Sequence, residues 1–278
     1  MDSLSSIATF SRKRQNPLIK LQKVRQDSES DVTVVIPTKD SRSSLCEYMK
    51  NFLAPAKIIF VESQGQFFNY SKALNVGIRE ALKDRPEWLI ISNDDMIPET
   101  FFSSLLAKLK ATDSEFLVPY KGTRSAYPTE YFSVVRKNFP YNLNAELQYL
   151  IRRSLRLLYY YPLLIMNRDD LRGIVVNEKY SLLAAKFCDK IERTLLNFNS
   201  FGIFKSEIFN KFKFDETFIN GEEDYDLVLS LADKGIIPKL VDFSISDIGA
   251  FSLNSPNRFM QTFFGKLYLN YKRHYNEL

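Results

Sequence analysis

Three short apolar runs, rich in β-branched residues, recur in the first half of the chain: DVTVVIPTK at residues 31–39, KIIFV at 57–61 and WLIIS at 88–92. Each is too short for an amphipathic helix and too continuously apolar for a strand with one wet face. Each therefore predicts a strand buried on both sides. Helical periodicity fills the intervals. Ser44 and Glu47 are spaced as a capping box, and Leu45, Tyr48, Met49 and Phe52 follow at helical steps. Residues 69–82 put Tyr70, Ala73, Leu74, Gly77, Ile78, Ala81 and Leu82 on one face. Phe101, Phe102, Leu105, Leu106 and Leu109 mark a third helix, and residues 116–119 a fourth strand. Strand and helix alternating through short links predict parallel βαβ units, hence an α/β fold with a Rossmann-like, mostly parallel sheet flanked by helices.

Sheets of this kind bind ligands beyond the carboxyl ends of their strands. The polar residues there are Thr38-Lys39-Asp40, Glu62-Ser63 and Asn93-Asp94-Asp95. The spacing predicts that all three clusters meet at one edge. No G-x-G-x-x-G follows the first strand and no G-x-x-x-x-G-K-[ST] occurs anywhere. Neither dinucleotide binding nor P-loop chemistry fits. A diphosphate bound at this edge would need another counter-charge, and a metal on carboxylates is the obvious one.

Composition narrows the chemistry further. The chain of 278 residues has one histidine, His274, and two cysteines, Cys46 and Cys188. Zinc clusters and disulfide scaffolds are excluded, and so is a histidine-based nucleophile unless it recruits His274. A metal here would be held by oxygen, which favours Mg2+ or Mn2+. Free thiols, the absence of a leader-like apolar core in residues 1–13 and a longest apolar run of only residues 157–166 predict a cytoplasmic protein with no signal peptide or transmembrane segment. The net charge is +5, and residues 1–25 carry six cations against Asp2. That stretch reads as a solvated arm or as a surface for an anionic partner. No RNP motif, C2H2 spacing or basic heptad supports nucleic-acid binding.

Two adjacent carboxylates at a strand end, Asp94 and Asp95, are costly unless a cation or solvent compensates them. In order, VVIPTKD, FVES, NYSKALNVGI and WLIISNDDMIP resemble the family 2 glycosyltransferases of the GT-A fold. Residues 199–227, NSFGIFKSEIFNKFKFDETFINGEEDYDL, are similar to the acceptor-side segment of that family. The resemblance covers about residues 31–120 and 199–252. It implies that Asn93 and Asp95 occupy the two positions of a D-x-D-type motif, with Asp95 the metal ligand and Asp94 toward the ribose or donor sugar. It implies that Pro37, Thr38 and Asp40 lie at the nucleotide and that Glu62 reads the uracil edge. It sets Lys72 and Asn75 on the helix nearest the diphosphate. Glu223-Asp224 becomes the acidic pair, with Asp224 the general base that an inverting transferase needs. Carboxylates in a first helical turn also suit the helix dipole on their own, and Asp226 reads as a brace. Asp247 stands where the family often has a histidine; it is either a second ligand for Mg2+ or Mn2+, or that ligand is lost.

The resemblance thus implies metal-dependent, inverting transfer of a sugar from a nucleotide-diphosphate donor, UDP-linked, to a hydroxyl of a saccharide, protein or lipid-linked acceptor. One alternative is a catalytically inactive GT-A-like protein that binds a nucleotide sugar or a partner. A third is a nucleotidyltransferase, although its usual glycine-rich basic loop after the first strand is absent. The expected organisation is a basic arm (1–30), a nucleotide-sugar half (31–123), a helical insertion (124–198), an acceptor half (199–253) and an amphipathic C-terminal helix (254–278) with Phe259, Phe263, Leu267 and Tyr271 in step. Within the insertion, residues 150–166 join arginines to an aromatic, aliphatic run, which suits peripheral membrane contact or a lid packed on the sheet.

Overall fold

The computed structural model describes residues 9, 13–64, 68–121, 127–128, 196–198, 200–218, 220–247, 265, 268–269 and 272. Most of the insertion, including residues 150–166 and Cys188, lies outside the described residues, as do His274 and the stripe Phe259, Phe263, Leu267 and Tyr271.

Among the described residues, ten strands form in chain order: β1 (Leu18–Val24), β2 (Val32–Thr38), β3 (Lys57–Gln64), β4 (Trp88–Ser92), β5 (Met96–Pro98), β6 (Phe116–Lys121), β7 (Tyr127–Pro128), β8 (Leu196–Asn197), β9 (Phe201–Lys205) and β10 (Lys239–Asp247). The α-helices among the described residues are α1 (Ser44–Phe52), α2 (Tyr70–Ala81), α3 (Phe102–Lys110) and α4 (Glu223–Ala232). Eight strands make one sheet in the order β1-β3-β2-β4-β9-β6-β10-β5. The pair β7–β8 brings Tyr127 opposite Asn197, so the segment between them leaves and returns at one place.

The strands β2, β3, β4, β6 and β10 run in one direction; β1, β9 and β5 run against them. A mostly parallel sheet is thus correct for strand direction but not for pairing. Only β2–β3, β2–β4 and β6–β10 are parallel pairs; the other four pairings are antiparallel. The reason is β9. It is inserted between β4 and β6, and an antiparallel neighbour needs no helical crossover.

Continuous apolar runs arise because both faces of the sheet are covered. Along β2, Val34 and Ile36 point into a core with Met49 of α1, Phe60, Trp88 and Leu105 of α3. Val35 points into the opposite core with Ala73 and Leu74 of α2, Val61, Phe204, Leu227 of α4 and Tyr268. Every residue of β2 and β4 is buried. The edge strand β1 differs. Its residues alternate between exposed and half-buried, and Lys23 pairs with Glu80 of α2 at 2.5 Å. The capping residue of α1 is Ser43, not Ser44: its Oγ accepts from the Cys46 amide at 3.2 Å. Among the described residues, no helix is long and apolar enough to cross a membrane.

Candidate functional site

Because five strands share a direction, Thr38, Glu62 and Asn93 reach the same edge of the sheet. The Thr38 hydroxyl donates to Asp94 Oδ2 at 2.6 Å, which ties the end of β2 to the turn after β4. Burial pushes the Asp94 carboxyl up, and the Thr38 bond opposes that shift. Glu62 is buried, and its Oε1 accepts from the Ser41 amide at 3.0 Å and the Ser41 hydroxyl at 2.5 Å. These bonds hold its carboxyl below the usual range. They also pin the loop after β2, where Pro37 is buried and Asp40, half exposed, accepts from the Arg42 amide at 3.0 Å.

The other half of the chain reaches the same edge through β9. The Asn93 amide donates to the Ser200 carbonyl at 3.0 Å, and β9 then runs away beside β4. Farther on, Gly221 and Glu222 take positive φ values of 135° and 70°, and α4 begins at Glu223. A non-glycine residue at φ 70° is a strained conformation of the kind that clusters at functional sites. The turn places both Glu223 and Asp224 in buried positions. Burial first, and the Asp224 charge second, raise the Glu223 carboxyl from 4.5 to about 8, against a hydrogen bond from the Gly221 amide.

Tyr70 joins the two halves. It is the first residue of α2, and its hydroxyl donates to Asn93 Oδ1 at 2.7 Å. Burial, followed by the charges of Glu223, Asp224, Asp95 and Asp94, holds that hydroxyl well above its usual value. It stays protonated and can only keep donating. One hydroxyl therefore feels four carboxylates from two distant segments. Sequence reasoning counted Tyr70 as a core residue because it continues the apolar stripe of α2. Its place at the helix start, where the stripe runs past the sheet edge, is the signal that would have found it.

The backbone of Asp247 ends β10, and it pairs with Met96 of β5, the residue after Asp95. The strands thus bring the two expected metal positions side by side along the chain; the side chain of Asp247 lies outside the described residues. Lys72 and Asn75 face elsewhere. Lys72 stands two residues from Tyr70, about 200° around the helix. Its Nζ donates to Asn16 Oδ1 at 2.5 Å. The Asn75 side chain bonds both the amide and the carbonyl of Phe214, at 3.0 and 2.8 Å, and so braces the segment before α4. Asp226 also braces: Lys272 Nζ lies 2.7 Å from both Asp226 and Asp215, which fastens the C-terminal segment to α4. Gly265 is so close to the Gly221 carbonyl that a Cβ would stand 2.4 Å from it. Among the described residues, no three His, Cys, Asp or Glu side chains form a closed metal cage.

No protein-family model matches the chain, and no curated protein does. Among solved structures it is similar to A197 from STIV, at 14% identity and a TM-score of 0.26, over 41% of this chain and 56% of that one. The chain thus spans little more than half the length of A197. It is also similar to a putative glucose-1-phosphate thymidylyltransferase from Bacillus anthracis, solved in complex with a sucrose. That likeness has 8% identity and a TM-score of 0.32, over 86% of this chain and 75% of that one. Likenesses this distant carry no assignment of activity. What stands is a mixed α/β fold of Rossmann-like character, with an acidic site at the carboxyl edge of its sheet.

Proposed function

We propose that this chain is a GT-A-type glycosyltransferase that moves a sugar from a nucleotide-diphosphate donor, UDP-linked, to an acceptor hydroxyl with inversion. The observation that carries this reading is the meeting of two acidic clusters, Asp94-Asp95 and Glu223-Asp224, around the Tyr70 hydroxyl. The donor would lie along the ends of β2, β3 and β4. There the loop pinned by Glu62 and Ser41 shapes the nucleotide end, and the Thr38–Asp94 bond fixes the sugar end. Asp224 would take the acceptor proton. With Glu223 held protonated near neutral pH, the acidic pair carries one negative charge, which suits a base beside a hydroxyl.

The donor set fits a hard divalent cation, because it is made of carboxylate oxygens. Mg2+ characteristically takes only one or two carboxylates and fills its shell with water and substrate phosphate. Asp95 would hold such a cation with Asp247, and it would neutralise the leaving diphosphate. Tyr70 would fix the Asn93 amide at the rim of that site.

The test is turnover of nucleotide sugars in Mn2+ by the whole chain. Release of a nucleoside diphosphate is expected. Asp224→Ala should lose at least about 100-fold in turnover, in line with the usual worth of a general base, while keeping donor binding. A fully active Asp224→Ala would sink the base assignment. Release of pyrophosphate instead would make the protein a nucleotidyltransferase.

A further inference from the structure

The turn that delivers Glu223 and Asp224 is held from outside itself. Gly265, Tyr268, Leu269 and Lys272 of the C-terminal segment have helical backbone. At steps of three, one and three residues they share one helix face. The Tyr268 hydroxyl donates to Asp215 Oδ2 at 2.9 Å, and its ring meets Phe218 edge to face at 4.8 Å. Gly265 lies against the Gly221 carbonyl. Lys272 Nζ bonds both Asp215 and Asp226 at 2.7 Å and stands 5.7 Å from the centre of the Phe218 ring. Leu269 is buried in the same core as Leu227 of α4. These contacts fall before, at and after the acidic pair.

The turn itself is unfavourable. Left-handed backbone costs a glutamate energy, and Glu222 at φ 70° keeps it only because its surroundings over-determine it. The Gly221 amide, on the same turn, donates to Glu223 Oε2. The angle of the turn therefore sets where Glu223 points and where Asp224 follows. A Cβ at position 265 would stand 3.4 Å from Glu222 Cγ and 2.4 Å from the Gly221 carbonyl oxygen. The second distance is about 1 Å short of ordinary contact. The obstacle is backbone, which cannot swing aside as the tip of a side chain can. Packing alone accounts for Tyr268 and Leu269. It does not account for a glycine where the helix meets a left-handed glutamate, or for one lysine shared by carboxylates on either side of the pair.

We infer that the C-terminal helix positions the acidic pair: Gly265 and Lys272 set the Gly221–Glu222 turn, and through it the place of Asp224 beside an acceptor hydroxyl. Both are positioning residues, and the inference rests on the reading of Asp224 as general base. Donor binding at the ends of β2, β3 and β4 does not depend on them.

Steady-state turnover of a nucleotide sugar in Mn2+ and hydrogen exchange, both on the whole chain, test this together. A displacement of about 1 Å costs about 100-fold in rate even when its cause is remote from the chemistry. Gly265→Ala should therefore lower kcat by at least about tenfold and leave the donor KM within about twofold. Lys272→Met adds no bulk at the turn and should lower kcat as well. Lys205→Met is the control. It breaks an ion pair to Glu87, beside Trp88 at the opposite end of β4 from Asn93, and should cost stability without lowering kcat. Peptides containing Gly221 should lose protection from exchange in Gly265→Ala and Lys272→Met several-fold more than peptides from β2 and β4. Unchanged kcat in both variants of an active wild type would overturn the inference, and so would a loss of protection spread evenly over the chain. If wild type turns over no nucleotide sugar, the glycosyltransferase reading falls, and exchange at Gly221 still decides whether the helix sets the turn.

Discussion

Tyr70 and Glu223 adapt to the same crowd of carboxylates in opposite ways. Tyr70 stays neutral, because burial and the surrounding acidic groups both oppose loss of its proton, so it serves as a donor. Glu223 keeps its proton instead, because burial beside Asp224 makes a second charge expensive. That retention has a cost in stability with a defined sign. Between 4.5 and about 8, the folded chain holds a proton that the unfolded chain has lost. Stability must therefore fall as pH rises through that window and level off above it, with a slope of at most about 1.4 kcal/mol per pH unit. Glu223→Gln cannot ionise and resembles the protonated acid in shape. Its urea midpoints between pH 5 and 8, in EDTA, should show a flatter slope than wild type. A parallel slope in the two proteins would mean that Glu223 is an ordinary, ionised carboxylate.

At the scale of elements, α2 does the most. Its first residue, Tyr70, reaches the acidic site, Asn75 braces the segment before α4, and Gly77 sets its height above the sheet. A Cβ at Gly77 would stand 2.5 Å from Val35 Cγ1 and 2.6 Å from Val61 Cγ2. Valine side chains are stiff, so neither methyl can swing aside. Alanine would gain about 1 kcal/mol of helix propensity, but the overpacking costs about 1–3 kcal/mol. Gly77→Ala should therefore destabilise the fold by up to about 2 kcal/mol by chemical denaturation; a stabilised variant would show that α2 sits farther from the sheet. The elements that were legible in the sequence share one property. Strands β2, β3, β4 and β6 are covered on both faces, and that burial writes a continuous apolar run. Strand β1 was not legible. LIKLQKV has one wet face at a sheet edge and merges with a basic stretch. The direction of β9 was not legible either, because nothing local in FGIFK says which neighbours it will join. In the site, the strand-end clusters followed from topology alone. Lys72 and Asn75 were harder to place, since their side of α2 depends on its phase against Tyr70.

Across the whole molecule, two stretches separated by more than a hundred residues meet at one edge because β9 enters the sheet between β4 and β6. The first brings Asn93, Asp94 and Asp95; the second brings Glu223 and Asp224, held in place by α4 and by the Lys272 contacts of the C-terminal segment. Under the proposed function, this shared edge would bind a nucleoside diphosphate through a divalent cation. Thermal unfolding of wild type, Asp95→Ala and Asp224→Ala with UDP, GDP, CDP or dTDP, each with and without Mn2+, tests it most directly. UDP should raise the melting temperature of wild type and Asp224→Ala by several degrees only when Mn2+ is present, and Asp95→Ala should lose the effect. Such binding would be contradicted if none of the four nucleotides gave a Mn2+-dependent rise, or if Asp95→Ala responded as wild type does.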